Sequence, residues 1–158
     1  MTDAVTETLR PILATIPLFD GMKSEHLEVI VGCAANVRLA PGEFAARQGE
    51  AADRFFIVRK GRFALQVHRP GQGEVTLLTV GDNEVLGWSW LVPPYKWHFD
   101  ARALTETRAL ALDGRCLRGK FESDYELGYE MMTRFARLMT QRLEAANLQL
   151  LDRYGTPA

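Results

Sequence analysis

Aromatic side chains are concentrated in one short segment of this chain. All three tryptophans lie within ten positions, and two further rings accompany them: Trp88, Trp90, Tyr95, Trp97 and Phe99. The last three alternate along the chain, so on a strand they share one face. They predict either a cavity for a flat or apolar ligand, oriented by Ser89, Lys96 or His98, or a core that the rings simply fill.

Residues typical of catalysis and metal binding are dispersed. The histidines His26, His68 and His98 stand alone and do not form the paired arrangement of a metal site. There is no Gly-x-Ser-x-Gly elbow and no Walker loop. Cys33 and Cys116 form no ligand cluster and no disulfide framework, and their apolar surroundings predict core residues. We therefore expect a non-enzyme without a metal or a cofactor.

Length and charge restrict the function classes further. The chain has 158 residues, of which 47% are hydrophobic and 25% charged, so we expect one domain over residues 1–158. Nineteen basic residues nearly cancel 20 acidic ones, which argues against direct nucleic-acid binding. No apolar run reaches the roughly 20 residues that cross a bilayer, and the polar, acid-containing start does not resemble a secretory signal. These features predict a cytoplasmic protein without a membrane partner.

Hydrophobic spacing divides the chain into three parts. Leu9, Ile12, Leu13 and Ile16 follow a helical pattern, interrupted by prolines, and predict helices over about residues 5–35. From about 37 to 112, short apolar runs alternate with glycine-containing turns, which is typical of an antiparallel barrel or jelly roll. Helices are predicted again over about 114–152.

The last predicted helix carries more apolar residues than a small barrel can cover. One stripe follows the helical repeat: Leu127, Met131, Phe135, Leu138 and Arg142. A second set widens it: Met132, Met139, Leu143, Ala146 and Leu150. A helix of roughly 25 residues is about 38 Å long. We therefore expect a homodimer through the first stripe, with folding of the helix back over its own barrel as the alternative.

The order of helices, glycine-punctuated strands and long final helix resembles a known family. The residues that carry the resemblance are Pro17-Leu18-Phe19, Pro41-Gly42-Glu43, Gln48-Gly49-Glu50, Phe56-Ile57-Val58 with Lys60-Gly61, Val80-Gly81-Asp82 and Leu86-Gly87. Together they resemble the cyclic nucleotide-binding domain, as in catabolite activator-type regulators. The resemblance implies a mainly β jelly-roll barrel with flanking helices.

In that family an insert between two strands binds the cyclic phosphate. A glycine followed by glutamate opens the insert, and an arginine before a small residue closes it. Here Gly87 matches, but Trp88 stands at the glutamate position and Trp97 at the arginine position, between Lys96 and His98. The family also draws a polar contact from the long helix, which the alignment assigns to Asn147. The candidate ligand-binding set is Gly87, Trp88, Ser89, Trp90, Lys96, Trp97, His98 and Asn147.

These substitutions predict a regulatory or sensor domain that binds cyclic AMP or cyclic GMP weakly or not at all. Its effector would then be a small molecule of unknown identity. One alternative is true cyclic-nucleotide binding through backbone amides with Lys96 and His98. Another is a ligand-free dimeric interaction module. In catabolite activators a winged helix-turn-helix follows the long helix, and only Asp152–Ala158 remain here, so we expect no operator binding by this chain.

Overall fold

The computed structural model describes residues 9–154. Residues 9–14 are helical (α1), a 3-10 helix follows at Pro17–Phe19, and α2 spans Ser24–Gly32. The second proline supplies the pre-set φ at the first position of the 3-10 turn. The predicted helical start near residue 5, like both ends of the predicted single domain, lies outside the described residues.

Eight strands form two antiparallel sheets, which confirms the predicted jelly-roll class. The strands are β1 Ala34–Leu39, β2 Phe44–Ala46, β3 Arg54–Lys60, β4 Phe63–Arg69, β5 Gly73–Val80, β6 Val85–Leu86, β7 Asp100–Ala103 and β8 Thr107–Asp113. One sheet has the order β1-β8-β3-β6 and the other β2-β7-β4-β5, and the two are not closed into a continuous barrel. The strands begin three residues earlier than predicted, because Ala34 already pairs with Leu112.

The sheet that contains β3 and β8 is buried on both faces. Along β3, Phe55 and Ile57 pack in the core beneath the helices, whereas Phe56 and Val58 pack in the core between the sheets. Successive strand residues point to opposite faces, so the uninterrupted apolar run of β3 serves two cores at once. The other sheet, β2-β7-β4-β5, contacts only the core between the sheets.

One turn glycine is required by space as well as by conformation. Gly61, between β3 and β4, has φ +129°, and a Cβ there would lie 2.5 Å from the Thr107 hydroxyl oxygen. Any side chain would collide with β8, so the turn accepts only glycine.

Two helices follow the last strand. Helix α3 spans Gly114–Ser123, and the Asp113 side chain caps it by accepting from the Cys116 N–H. Helix α4 spans Tyr125–Tyr154, and its 30 residues give a length of about 45 Å. Among residues 9–154, no helix combines the length and the apolar character needed to cross a bilayer.

The two apolar stripes of α4 lie in different environments. The inner stripe, Leu127, Met131, Phe135 and Leu138, packs against the core beneath the helices. Its first three members are completely buried within the chain, so their predicted role as dimer contacts is wrong; folding back over the barrel, the alternative, holds for this half of the helix. The outer stripe points away from that core and consists of Tyr129, Met132, Ala136, Met139, Leu143, Ala146 and Leu150.

Candidate functional site

The insert occupies residues 87–99, between β6 and β7. Its returning limb is extended, because backbone hydrogen bonds join it to the segment after β2. The Trp97 N–H donates to the Glu50 carbonyl over 2.9 Å, and the Ala52 N–H donates to the Tyr95 carbonyl over 2.7 Å. The second half of the insert is therefore held as a strand-like edge rather than as a free loop.

Trp97 packs directly over the first residue of the insert. Gly87 has φ +104°, and a Cβ added to it would lie 2.6 Å from Cη2 of Trp97. The Trp97 residue is only 5% exposed and belongs to the core between the sheets. Glycine at position 87 thus permits close approach of an indole ring.

The other rings of the insert are also packed against the protein. Phe99 lies 5.6 Å from Trp88 and 6.1 Å from Trp97 between ring centroids. Trp90 is completely buried in the other core, where it stacks on Phe55 at 4.7 Å. Half-buried Trp88 contacts both cores. The geometry therefore favours rings that fill the hydrophobic cores over rings that line a ligand cavity.

The polar candidates of the insert are not gathered around one point. Lys96 and His98 are exposed, and by strand alternation they face away from buried Trp97. Ser89 is buried, and its hydroxyl has no hydrogen-bond partner within residues 9–154. The insert therefore presents no cationic side chain toward Gly87.

Arg118 of α3 contacts the insert from outside, and no motif or spacing predicted this role. Its guanidinium donates to the Trp90 carbonyl over 2.7 Å and to the Asp53 carboxylate over 3.2 Å. It also lies 4.2 Å from the ring centroid of Tyr95, whose φ is +55°. Arg118 thereby connects α3 to the insert, beside the contact between Phe121 of α3 and Trp90.

Two residues of α4 reach the insert: Phe135 packs edge-on against Trp90 at 5.3 Å between ring centroids, and Arg142 lies near Trp88. Arg142 was predicted to contact a second chain, but it turns inward, where it donates to the Val85 carbonyl and lies 5.8 Å from the Trp88 ring. Its Nη1 is buried and has no partner among the described residues. Burial lowers the pKa of Arg142, and the carboxylate of Glu84 partly opposes this. Asn147, the predicted helix contact, is instead exposed.

A cleft of about 480 Å³ adjoins Arg142. It lies between the 3-10 helix, the β5–β6 turn and α4, outside the insert. Acidic and basic groups both line it, among them Asp20, Glu84, Arg137 and Arg142. Its volume falls within the range of small-molecule sites.

Charged side chains also join α2 to α4. Buried His26 is hydrogen-bonded to Glu130, and Glu130 accepts from Arg134 over 2.9 Å. Burial alone would raise the pKa of Glu130, but the hydrogen bonds from His26 and Arg134 outweigh it and hold that pKa below its ordinary value. Within residues 9–154, no three His, Cys, Asp or Glu side chains are grouped as metal ligands.

Comparison with known proteins gives consistent matches. The profile of the cyclic nucleotide-binding domain matches residues 36–124. A CRP-like cAMP-activated global transcriptional regulator of Mycobacterium tuberculosis is 24% identical over 141 residues, which cover 89% of this chain and 61% of the regulator. The chain thus spans less than two thirds of that relative.

Two solved structures are similar in fold. A putative cyclic nucleotide-binding protein from Geobacter metallireducens has a TM-score of 0.76 at 24% identity, over 87% of this chain and 97% of its own. A cyclic nucleotide-binding domain from Methylobacillus flagellatus has a TM-score of 0.78 at 18% identity, over 99% of this chain and 87% of its own.

Proposed function

The chain belongs to the cyclic nucleotide-binding domain family, and on that premise we propose a non-catalytic regulatory domain that does not bind cyclic AMP or cyclic GMP in the family's usual way. The observation that supports this most is Trp97, whose ring packs over Gly87 at the position where the resemblance implies an arginine. An indole ring cannot neutralise a phosphate, and here it also fills the space beside the glycine.

Loss of the arginine and glutamate contacts removes a large part of the binding free energy of a typical nucleotide ligand. A charge-assisted hydrogen bond contributes about 1.5–3 kcal/mol, so the loss of the arginine and glutamate contacts removes roughly 3–6 kcal/mol. A micromolar ligand binds with about 8 kcal/mol. The remaining affinity corresponds to a dissociation constant of roughly 0.1 mM or more.

The alternative of true nucleotide binding through backbone amides, Lys96 and His98 has less support. Both side chains are exposed on the side opposite Trp97. An ammonium on a flexible stem also lacks the paired donors of a guanidinium. This alternative predicts micromolar binding by the unmodified protein, so calorimetry separates it from our proposal.

Titration calorimetry with cyclic AMP and cyclic GMP tests the proposal. We expect the natural chain to show no saturable heat at ligand concentrations below about 0.1 mM. The double variant Trp88→Glu, Trp97→Arg restores both charges, and we expect it to bind at least tenfold more tightly. Trp97→Leu is the matched control, because it opens space without adding charge. Circular dichroism establishes that each variant is folded, and micromolar binding by the natural chain would overturn the proposal.

We also propose that the domain is a homodimer through the outer stripe of α4. The stripe residues follow steps of three and four from Tyr129 to Leu150, the repeat of a coiled coil. Leu143 is 63% exposed and Leu150 52% exposed, although both are apolar. A second copy of the same helix has the matching repeat and length to cover them.

A small-molecule sensor is the second candidate function. Within residues 9–154, a buried N–H of Arg142 has no hydrogen-bond partner, and it lies beside the cleft of about 480 Å³, where a carboxylate or phosphate group could accept from it. A thermal-shift screen of small carboxylates and phosphates tests this, because ligands that bind only the folded state raise its stability. Stabilisation that Arg142→Leu abolishes would support the sensor. No response would favour the ligand-free interaction module. The cytoplasmic location stays a prediction.

A further inference from the structure

The two cysteines of the chain lie side by side, although 83 residues separate them in sequence. The Cys33 thiol donates to the Cys116 sulfur across 2.7 Å, and both residues are free thiols. That separation is shorter than the roughly 3.5 Å contact distance of non-bonded carbon atoms. Two thiols this close have the proximity that disulfide formation requires.

The backbone imposes this proximity. Cys33 is the C-cap residue of α2, and its carbonyl accepts from the Asp113 N–H over 2.8 Å. The Asp113 carboxylate in turn accepts from the Cys116 N–H over 3.0 Å, which caps α3. One residue thus holds both cysteines through two hydrogen bonds, so their approach belongs to the framework of the fold.

The two thiols differ in accessibility. Cys33 is buried, whereas Cys116 is partly exposed. Burial, followed by the hydrogen bond to Cys116, raises the pKa of Cys33 to about 12; the carboxylate of Asp113 adds to this and the ammonium of Lys120 opposes it. A dissolved oxidant therefore meets Cys116 first, and Cys33 is the protonated partner beneath it.

We propose that Cys33 and Cys116 form a peroxide-reactive dithiol that closes to an intrachain disulfide. In the first step the Cys116 sulfur attacks a hydroperoxide oxygen, the O–O bond breaks, and Cys116 sulfenic acid and an alcohol form (water when the oxidant is hydrogen peroxide). In the second step the Cys33 sulfur attacks the Cys116 sulfur. The S–S bond forms, the S–O bond breaks, and the hydroxyl leaves with the thiol proton as water. The two thiols lose two electrons and the peroxide gains them.

The disulfide would connect functional parts of the domain. It ties α2 to α3, and α3 carries Arg118, which donates to the Trp90 carbonyl of the insert. Helix α3 also leads into α4 through Asp124. Oxidation would thus restrain α3, and through Arg118 it would restrain the insert, whether or not the insert binds a nucleotide.

Mass spectrometry of the full chain tests the proposal. The reduced protein is exposed to a small excess of hydrogen peroxide, quenched, alkylated and mapped without reduction. We expect loss of both thiols, a mass decrease of two hydrogen atoms, and a linked Cys33–Cys116 peptide that dithiothreitol releases. The thermal midpoint should rise by roughly 5–15 °C on oxidation. Retention of both thiols, or links between chains only, would overturn the proposal.

Single variants test the order of the two steps. In Cys33→Ala, the Cys116 sulfenic acid has no partner and should accumulate, where dimedone traps it. In Cys116→Ala, buried Cys33 should consume peroxide at least tenfold more slowly than the natural chain. Equal consumption by the Cys116→Ala protein would contradict the assignment of Cys116 as the first sulfur. The mapping of the natural chain does not depend on either variant.

Discussion

The insert and the outer stripe of α4 are both rich in apolar side chains, but only one of them is covered by its own chain. In the insert, Trp97 packs over Gly87 and Trp90 stacks on Phe55. On the outer stripe, Leu143 stays 63% exposed. The difference lies in the supporting elements: the insert lies between two cores, whereas the far half of α4 extends past the barrel. An apolar segment with packing space on its own chain is filled, and one without it needs a partner.

Removing a ring of the insert should have the largest effect on stability. We expect Trp97→Ala to lower the free energy of unfolding by about 3–5 kcal/mol, because it empties a closely packed site. Leu143→Ala on the outer stripe should change it by less than about 0.5 kcal/mol when the protein is monomeric. Urea unfolding at low protein concentration measures both. Equal losses would mean that the two regions do not differ.

Charges on the outer stripe should separate the chains without unfolding them. We expect the double variant Leu143→Asp, Leu150→Asp to raise the dimer dissociation constant about 100-fold or more. Each chain would then bring two like charges into the apolar interface between the helices. Sedimentation velocity across a concentration series measures this. Gln141→Asp adds one carboxylate outside the stripe and should leave the constant nearly unchanged. A natural chain that sediments only as a monomer at high concentration would refute the dimer.

A single methyl group should probe how closely Trp97 and Gly87 pack. We expect Gly87→Ala to cost about 1–3 kcal/mol more than Gly49→Ala. Both glycines have positive φ, but a Cβ at Gly49 meets nothing within 4 Å, whereas at Gly87 it meets the indole. The difference between the two denaturation midpoints therefore isolates the ring contact. If the costs were equal, Trp97 would be free to move aside, and the insert could open for a ligand.

The smallest expected effect concerns the attachment of α4 to α2. The pKa of Glu130 is lowered in the folded chain, so the unfolded chain binds this proton more tightly. The stabilisation is therefore present above the ordinary glutamate pKa and is lost as the pH falls through the folded value. Glu130→Gln should flatten the acid side of the stability curve, measured by thermal unfolding between pH 3 and 6. The control is Glu126→Gln, which removes a carboxylate of the same helix that forms an exposed ion pair with Lys23. An unchanged acid slope in Glu130→Gln would exclude this contribution.

The sequence predicted the strands and helices well, because each has its own spacing of apolar residues along the chain. Apolar residues alternate at Phe63, Leu65 and Val67, which is the period of the strand observed there, and Gly61 lies in a turn where any side chain would collide with Thr107. The places of Gly87 and Trp97 in the insert were implied by the family resemblance. Their direct contact was not predicted, since spacing does not state which side chain meets which glycine.

The prediction of which face of α4 contacts a second chain was wrong. Two apolar stripes run along this helix, and a helical repeat cannot tell which of them faces the chain's own core. Leu127, Met131 and Phe135 were predicted to contact a second chain, but they are buried in the core of their own chain. Arg142 lay on the same stripe and so turned inward as well. An arginine in an otherwise apolar stripe was the one available signal of that role.

Local order along the chain determined the strands, the turns and the long helix, since each depends on neighbours a few residues away. Tertiary structure decided which face of α4 is buried, that Arg118 and Arg142 reach the insert, and that Cys33 meets Cys116. Those contacts join residues tens of positions apart, and their partners are chosen by how the two cores pack, a property that no short stretch of sequence contains.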